Sequence, residues 1–137
     1  MQENLELSFT VPGLVPVSVN HYKTPGWFRK RDGSIRLGFY LTRDAKAYRD
    51  AVAIFAQGRS VVPETERERV RVKYAVRVDV YLGKRQRLDA DNAGKVCLDA
   101  LQNCGVIHSD AYVIECKLNL HKEDRQHPRT EFLVRRM

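Results

Sequence analysis

No stretch of this chain approaches the roughly 20 consecutive apolar residues that a membrane-spanning helix needs, so no membrane partner is expected. Its opening, Met-Gln-Glu-Asn-Leu-Glu, has neither the basic start nor the apolar run of a secretory leader. Cysteine is scarce and odd in number: three residues, at 97, 104 and 116, with no C-x-x-C spacing. That excludes a complete disulfide framework and fits a reducing, cytoplasmic compartment. A zinc set drawn from Cys116, His108, His121 and His127 lacks a tight ligand pair, and Cys97 and Cys104 are expected in the core. Acid is in deficit, 17 side chains against 24 basic ones. The resulting charge of +7 and pI near 9.5 point to a polyanion as partner. Repeats and low-complexity segments are missing too, and 137 residues with 43% apolar content make one compact domain, 1–137.

What is present begins with a period of two. Leu5, Leu7, Phe9 and Val11 alternate with Glu6, Ser8 and Thr10 as a half-buried strand that Pro12-Gly13 ends. Residues 12–41 then run long without clear periodicity, although Ser34 to Tyr40 suits a short strand or hairpin arm, and long irregular segments are commonly functional or disordered. Basic and aromatic residues interleave there: Tyr22, Lys23, Trp27, Phe28, Arg29, Lys30, Arg31, Arg36, Phe39 and Tyr40. Between 20 and 50, eight Lys/Arg face three Asp. Such cations suit phosphates, and such rings suit unpaired bases.

Thr42 to Gly58 reads as a capped helix with Ala45, Tyr48, Val52, Phe55 and Ala56 on its apolar face, and Arg59 to Arg69 as a charged linker. Val70 to Leu82 alternates over thirteen residues, its outer face carrying Arg71, Lys73 and Arg77, and Lys84, Arg85 and Arg87 continue the basic character. After a second helix, Tyr112–Leu120 reads as a strand, and beyond a polar loop Thr130–Arg135 reads as its hairpin partner. Strand, helix, strand, helix, strand, strand describes an α+β fold, a single mixed sheet with two packed helices.

That second helix carries the chemistry. Over residues 87–104, Ala93, Val96, Cys97, Ala100, Leu101 and Cys104 form one stripe, while Asp91, Lys95, Asp99 and Gln102 lie opposite. Asp89 and Asp91 sit at its mouth, where the helix dipole favours negative charge, with Asp91 or Asn92 as cap and Gly105 as stop. Asp110 follows, just before an apolar run. Carboxylates so spaced are hard-oxygen ligands for a divalent cation. On spacing alone they are equally caps, ion pairs and a turn residue.

The quoted motifs add a resemblance. Asp-Ala-Asp-Asn-Ala-Gly-Lys (89–95), then Leu-Asp-Ala-Leu, then Gly-Val-Ile-His-Ser-Asp-Ala-Tyr-Val (105–113) resembles the signature of the RusA family of Holliday-junction resolvases, Asp-x-Asp-Asn-x-x-Lys followed after a short helix by Asp-Asp-x-x-Val. The stretch from Pro16 to Tyr22 is similar to the family's early Pro-x-Ser-x-Asn motif, and Ala47 to Asp50 to its first helix. The resemblance implies Asp89, Asp91 and Asp110 as metal-binding carboxylates, Lys95 as catalytic lysine, Mg²⁺ (Mn²⁺ substituting) as cofactor, branched DNA as substrate, a homodimer, and a phage or prophage setting. Ser109 departs from it, standing where many members have an acid. Lys23, Arg29, Lys30, Arg31, Arg71, Lys73, Arg77, Lys84, Arg85 and Arg87 are the expected DNA contacts. Two rivals stay open: a metal-dependent nuclease for another DNA substrate, and a non-catalytic basic DNA-binding module.

Overall fold

The computed structural model describes residues 5–17 and 23–137, the side chains of Thr24, Asp91 and Asn92 excepted. Its elements are β1 (Glu6–Pro12), β2 (Lys23–Arg29), β3 (Ile35–Leu41), α1 (Arg43–Ala56), α2 (Glu66–Arg69), β4 (Tyr74–Tyr81), α3 (Ala90–Asn103), β5 (Val113–His121) and β6 (Arg129–Arg136). Four strands form a mixed sheet in the order β1-β6-β4-β5. β6 runs antiparallel to both β1 and β4, while β5 lies parallel to β4 at one edge, joined to it by α3, so that β4 stands between β5 and β6 and the hairpin expected of those two strands does not form. The α+β class and the mixed sheet match the sequence reading. The second, two-stranded sheet of β2 and β3 is additional to it.

Alternation decides which face of the larger sheet is dry. Leu7, Phe9 and Val11 of β1, Val76, Val78 and Val80 of β4, and Phe132 and Val134 of β6 are buried in one cluster with Tyr48 and Val52 of α1 and Val96, Cys97 and Leu101 of α3. Phe9 and Phe132 stack across the β1–β6 pair with centroids 4.9 Å apart. Thr42 caps α1, its hydroxyl accepting from the Ala45 N–H at 3.3 Å, and left-handed Gln57 (φ 57°) ends it one residue before Gly58. Phe55 departs from its expected place on the apolar face: it lies at the edge of the stripe and stays exposed. The strand expected from Val70 starts only at Tyr74, because Thr65 caps the short helix α2 by accepting from Glu68 N–H, leaving Val70 outside and exposed. Thr65-x-x-Glu68 is the local signal for that turn.

Cys97 is a core residue. Burial pushes its thiol up to about 12, and its Sγ lies 3.8 Å from the Tyr48 hydroxyl. The zinc set does not assemble: among the described residues no three His, Cys, Asp or Glu side chains are grouped to hold a metal. His108 instead meets the Tyr74 hydroxyl at 2.8 Å, His121 meets Asp79, and His127 meets Asp124.

The β2–β3 hairpin occupies the segment in which the sequence shows no period. Gly26 and Gly38 face each other across it, and each makes room for a ring: a Cβ on Gly38 would lie 2.5 Å from Phe28 Cε1, and one on Gly26 2.7 Å from Tyr40 Cε2. The two rings meet edge to face at 6.2 Å, so aromatics cover the glycines of the neighbouring strand. Gly38→Ala is expected to displace Phe28 and cost the hairpin about 1–3 kcal/mol, the usual penalty of overpacking. Because the hairpin is a sheet of its own, hydrogen exchange should accelerate in β2 and β3 while the thermal midpoint of the main sheet holds; a matching fall in both would refute that separation.

Candidate active site and nucleic-acid interface

α3 is the axis of the site. It begins at Ala90, one residue ahead of the cap expected at Asp91 or Asn92, which leaves Asp89 immediately before it, exposed to solvent. Asp91 lies in its first turn; its side chain is outside the described residues, as are Ser18 to Tyr22 of the early motif. The apolar stripe is buried as predicted at Ala93, Val96, Cys97, Ala100 and Leu101. Lys95 is exposed and places its Nζ 3.7 Å from Asp99 Oδ1, one turn on. Such exposed i,i+4 pairs contribute about 0.3–0.5 kcal/mol, too little to hold Lys95 against a phosphate.

Beyond Asn103 the chain turns at Gly105 (φ 82°). Asp110 then opens a single 3₁₀ turn, Asp110–Tyr112, whose Ser109 cap accepts from the Ala111 N–H at 3.2 Å. Ser109 thus has a backbone role at the position where an acid was the family expectation. Gln102 of α3 fixes the next residue, its Oε1 accepting from the Asp110 backbone N–H at 2.9 Å.

Asp89 and Asp110 therefore stand at opposite ends of α3. Fourteen residues of helix cover about 20 Å. The strand beside it agrees: Leu88 shares a cavity with Leu120 and Lys122 at the far end of β5, whereas Asp110 precedes Val113 at its beginning. Seven strand steps of about 3.3 Å separate Val113 from Leu120. Carboxylates sharing one Mg²⁺ bind at about 2.0–2.1 Å, so Asp89 and Asp110 of the same chain are not brought to one ion.

The cavity ahead of α3 is basic. Leu82, Lys84, Arg85, Gln86, Arg87, Leu88, Leu120, Lys122 and Arg125 enclose about 630 Å³. Lys84, Arg85 and Arg87 were expected near the acidic mouth; Lys122 and Arg125 were not, because they come from the polar loop after β5. Arg125 Nη1 donates to the Lys84 carbonyl at 3.0 Å, tying that loop to the approach to α3. The Gly83 N–H donates to Gln86 Oε1 at 2.6 Å and closes the turn. Among the described residues no carboxylate lines this space, and its cations match a phosphate.

The other expected contacts are dispersed. Lys23, Arg29, Lys30 and Arg31 belong to the β2–β3 hairpin and its turn. Arg71 lines a separate cavity with Arg67 and Arg136, and Lys73 precedes β4. Arg77 lies on the open face of the sheet, its Nε 3.0 Å from Asp79 Oδ2. Partial burial pushes the Asp79 carboxyl up, but donors from His121, Asn119 and Arg77 outweigh it and hold the group below the usual carboxylate range. Arg77 is thus paired with Asp79 while its side chain stays exposed.

If the basic cavity seats phosphate, Lys122→Ala with Arg125→Ala should weaken DNA binding about equally for all sequences and lower the slope of log K against log salt by about 2. Fluorescence anisotropy across a salt series measures this, and an unchanged slope would remove the cavity from the interface.

The family model described as Endodeoxyribonuclease RusA matches residues 19–135, from just before the hairpin to the end of β6. No curated protein matches the chain.

Proposed function

The chain belongs to the RusA endodeoxyribonuclease family, metal-dependent Holliday-junction resolvases that hydrolyse DNA phosphodiester bonds, and on that footing we propose that it cuts four-way DNA junctions with Mg²⁺, or Mn²⁺ in its place, as a homodimer. The observation that carries this reading is the juxtaposition of an acidic helix mouth, Asp89 and Asp91, with a cavity walled by Lys84, Arg85, Arg87, Lys122 and Arg125.

The donors fit a hard divalent cation. Asp89 is exposed and Asp110 reaches solvent, and both offer carboxylate oxygen, the ligand Mg²⁺ takes. When bound, the ion supplies an activated water and neutralises charge on the phosphate. The chain's own part is positional. Cations of the cavity seat the strand, the N-terminal dipole of α3 adds positive potential at its mouth, and Lys95 exchanges Asp99 for an oxygen of the scissile phosphate.

The separation of Asp89 from Asp110 supports the dimer. A second copy laid antiparallel along α3 and β5 carries the partner's Asp110 to Asp89 and Asp91, and by two-fold symmetry the reverse, giving two complete sites. β5 is the edge strand of its sheet, with Ile114 and Cys116 exposed, and offers an edge for such pairing. Paired incisions in strands of like polarity need two such sites.

One assay tests the whole reading. A synthetic four-way junction, a flap and a linear duplex are incubated with protein and Mg²⁺, and the products are resolved on a denaturing gel while light scattering reports the oligomer. Paired cuts confined to the junction and a dimeric mass are expected. Equal cutting of flap or duplex would replace the junction as substrate, and salt-sensitive binding without cuts at any Mg²⁺ or Mn²⁺ concentration would make the protein a binding module.

A further inference from the structure

We propose that the β2–β3 hairpin is a base-stacking arm, with one of its two faces docking unstacked nucleobases of opened DNA. This rests on the DNA reading above and adds a second kind of contact, through aromatic rings rather than through the acidic mouth of α3.

The two faces of the arm are not equivalent. On one, Phe28 and Tyr40 lie over Gly38 and Gly26, so that face is covered by its own rings. On the other, cross-strand partners Pro25 with Phe39, Trp27 with Leu37, and Arg29 with Ile35 line up in a row. Trp27 is 71% exposed, Phe39 69%, Ile35 62% and Leu37 49%. These are large apolar side chains on a sheet that pairs with no other strand among the described residues, and a contiguous exposed patch of this kind marks an interaction site.

Charge selects the occupant. Between 23 and 41 the sequence has five cations, Lys23, Arg29, Lys30, Arg31 and Arg36, against one acid, Asp32. Asp32 is turned to the hairpin's own turn, accepting from Ser34 N–H at 2.9 Å and Ser34 Oγ at 2.6 Å. A second copy of the arm would set five cations against five, which opposes self-packing. Nucleic acid satisfies both parts, phosphates meeting the cations and the π-faces of bases meeting Trp27 and Phe39. Base-paired, stacked DNA presents few such faces; a branch point or single strand presents them.

Trp27 is the only tryptophan in the chain, so tryptophan emission, excited selectively, reports on the arm alone. Full-length protein in EDTA is titrated with a four-way junction, with a linear duplex of the same sequence and with a single strand, anisotropy of labelled DNA reporting binding in parallel. Strong quenching by junction and single strand, and weak quenching by duplex at equal occupancy, is expected. Trp27→Ala and Phe39→Ala should each weaken junction binding about 5- to 150-fold, the range for losing one stacked base, with the circular dichroism spectrum kept. Lys30→Ala should instead lower the salt slope and leave Trp27 quenching at saturation intact. Unchanged emission with the junction bound would overturn the arm while leaving resolvase activity standing. A blue shift that grows with protein concentration without DNA would overturn it in favour of a second copy. A junction neither bound nor cut would sink both readings.

Discussion

Asp91→Asn protein is expected to bind a four-way junction at least as tightly as the unaltered chain and to fail to cut it, the rate falling about 10³-fold or more. On the proposed assignment the substitution would remove a hard-oxygen ligand, and with it both charge neutralisation and the activated water, while relieving one negative charge close to phosphate. Asp89→Asn and Asp110→Asn should behave alike. Geometry sharpens the expectation. Since α3 holds Asp89 and Asp110 at opposite ends, mixing Asp91→Asn with Asp110→Asn protein under conditions of subunit exchange should restore nicking of one strand: half of each mixed dimer then has both carboxylates intact. Sites contained within single chains give no restoration. Single-turnover cleavage on a denaturing gel reads both outcomes, and any of the three single variants cutting at the unaltered rate refutes the assignment.

Lys95→Ala is expected to fold, to bind the junction and to cut about 10²–10³-fold more slowly, the loss seen when one preorganised charge-stabilising donor is removed. A purely structural Lys95 predicts otherwise. Its only described partner is Asp99 at 3.7 Å, on an exposed helix face, so stability should fall by about 0.5 kcal/mol or less and cutting should survive. Lys95→Arg separates the two further, because a planar guanidinium restores an ion pair more readily than it replaces a compact ammonium at a phosphate. Cleavage by Lys95→Ala within a factor of three of the unaltered rate would return Lys95 to the surface.

How much of this was readable from sequence follows the range of the forces involved. β1, β4 and the buried stripe of α3 are written in local periodicity, and Gly105 takes the positive φ its position implied. β2 is not: Pro25 and Gly26 depress strand propensity, and the strand exists because Phe28 and Tyr40 fill spaces over glycines on the opposite strand. Lys122 and Arg125 were hidden for a similar reason, since they reach Lys84 and its neighbours only once β5 lies parallel to β4. That same parallel pairing parts Asp89 from Asp110, which look like one cluster when read along the motif. Ser109 was identified as a departure, but its cap on the 3₁₀ turn depends on backbone geometry that no motif records.

The length of α3 then acquires a further meaning. In the proposed dimer, an antiparallel pair of these helices would set each end of one against the opposite end of the other, so the helix would act as a ruler whose fourteen residues fix how far apart the two incisions fall. Four residues added to its middle would lengthen that gauge by about 6 Å and swing its ends by some 40°. Incision spacing on the junction would thereby be encoded in a count of helical residues and would shift without any change to the acids proposed to do the cutting.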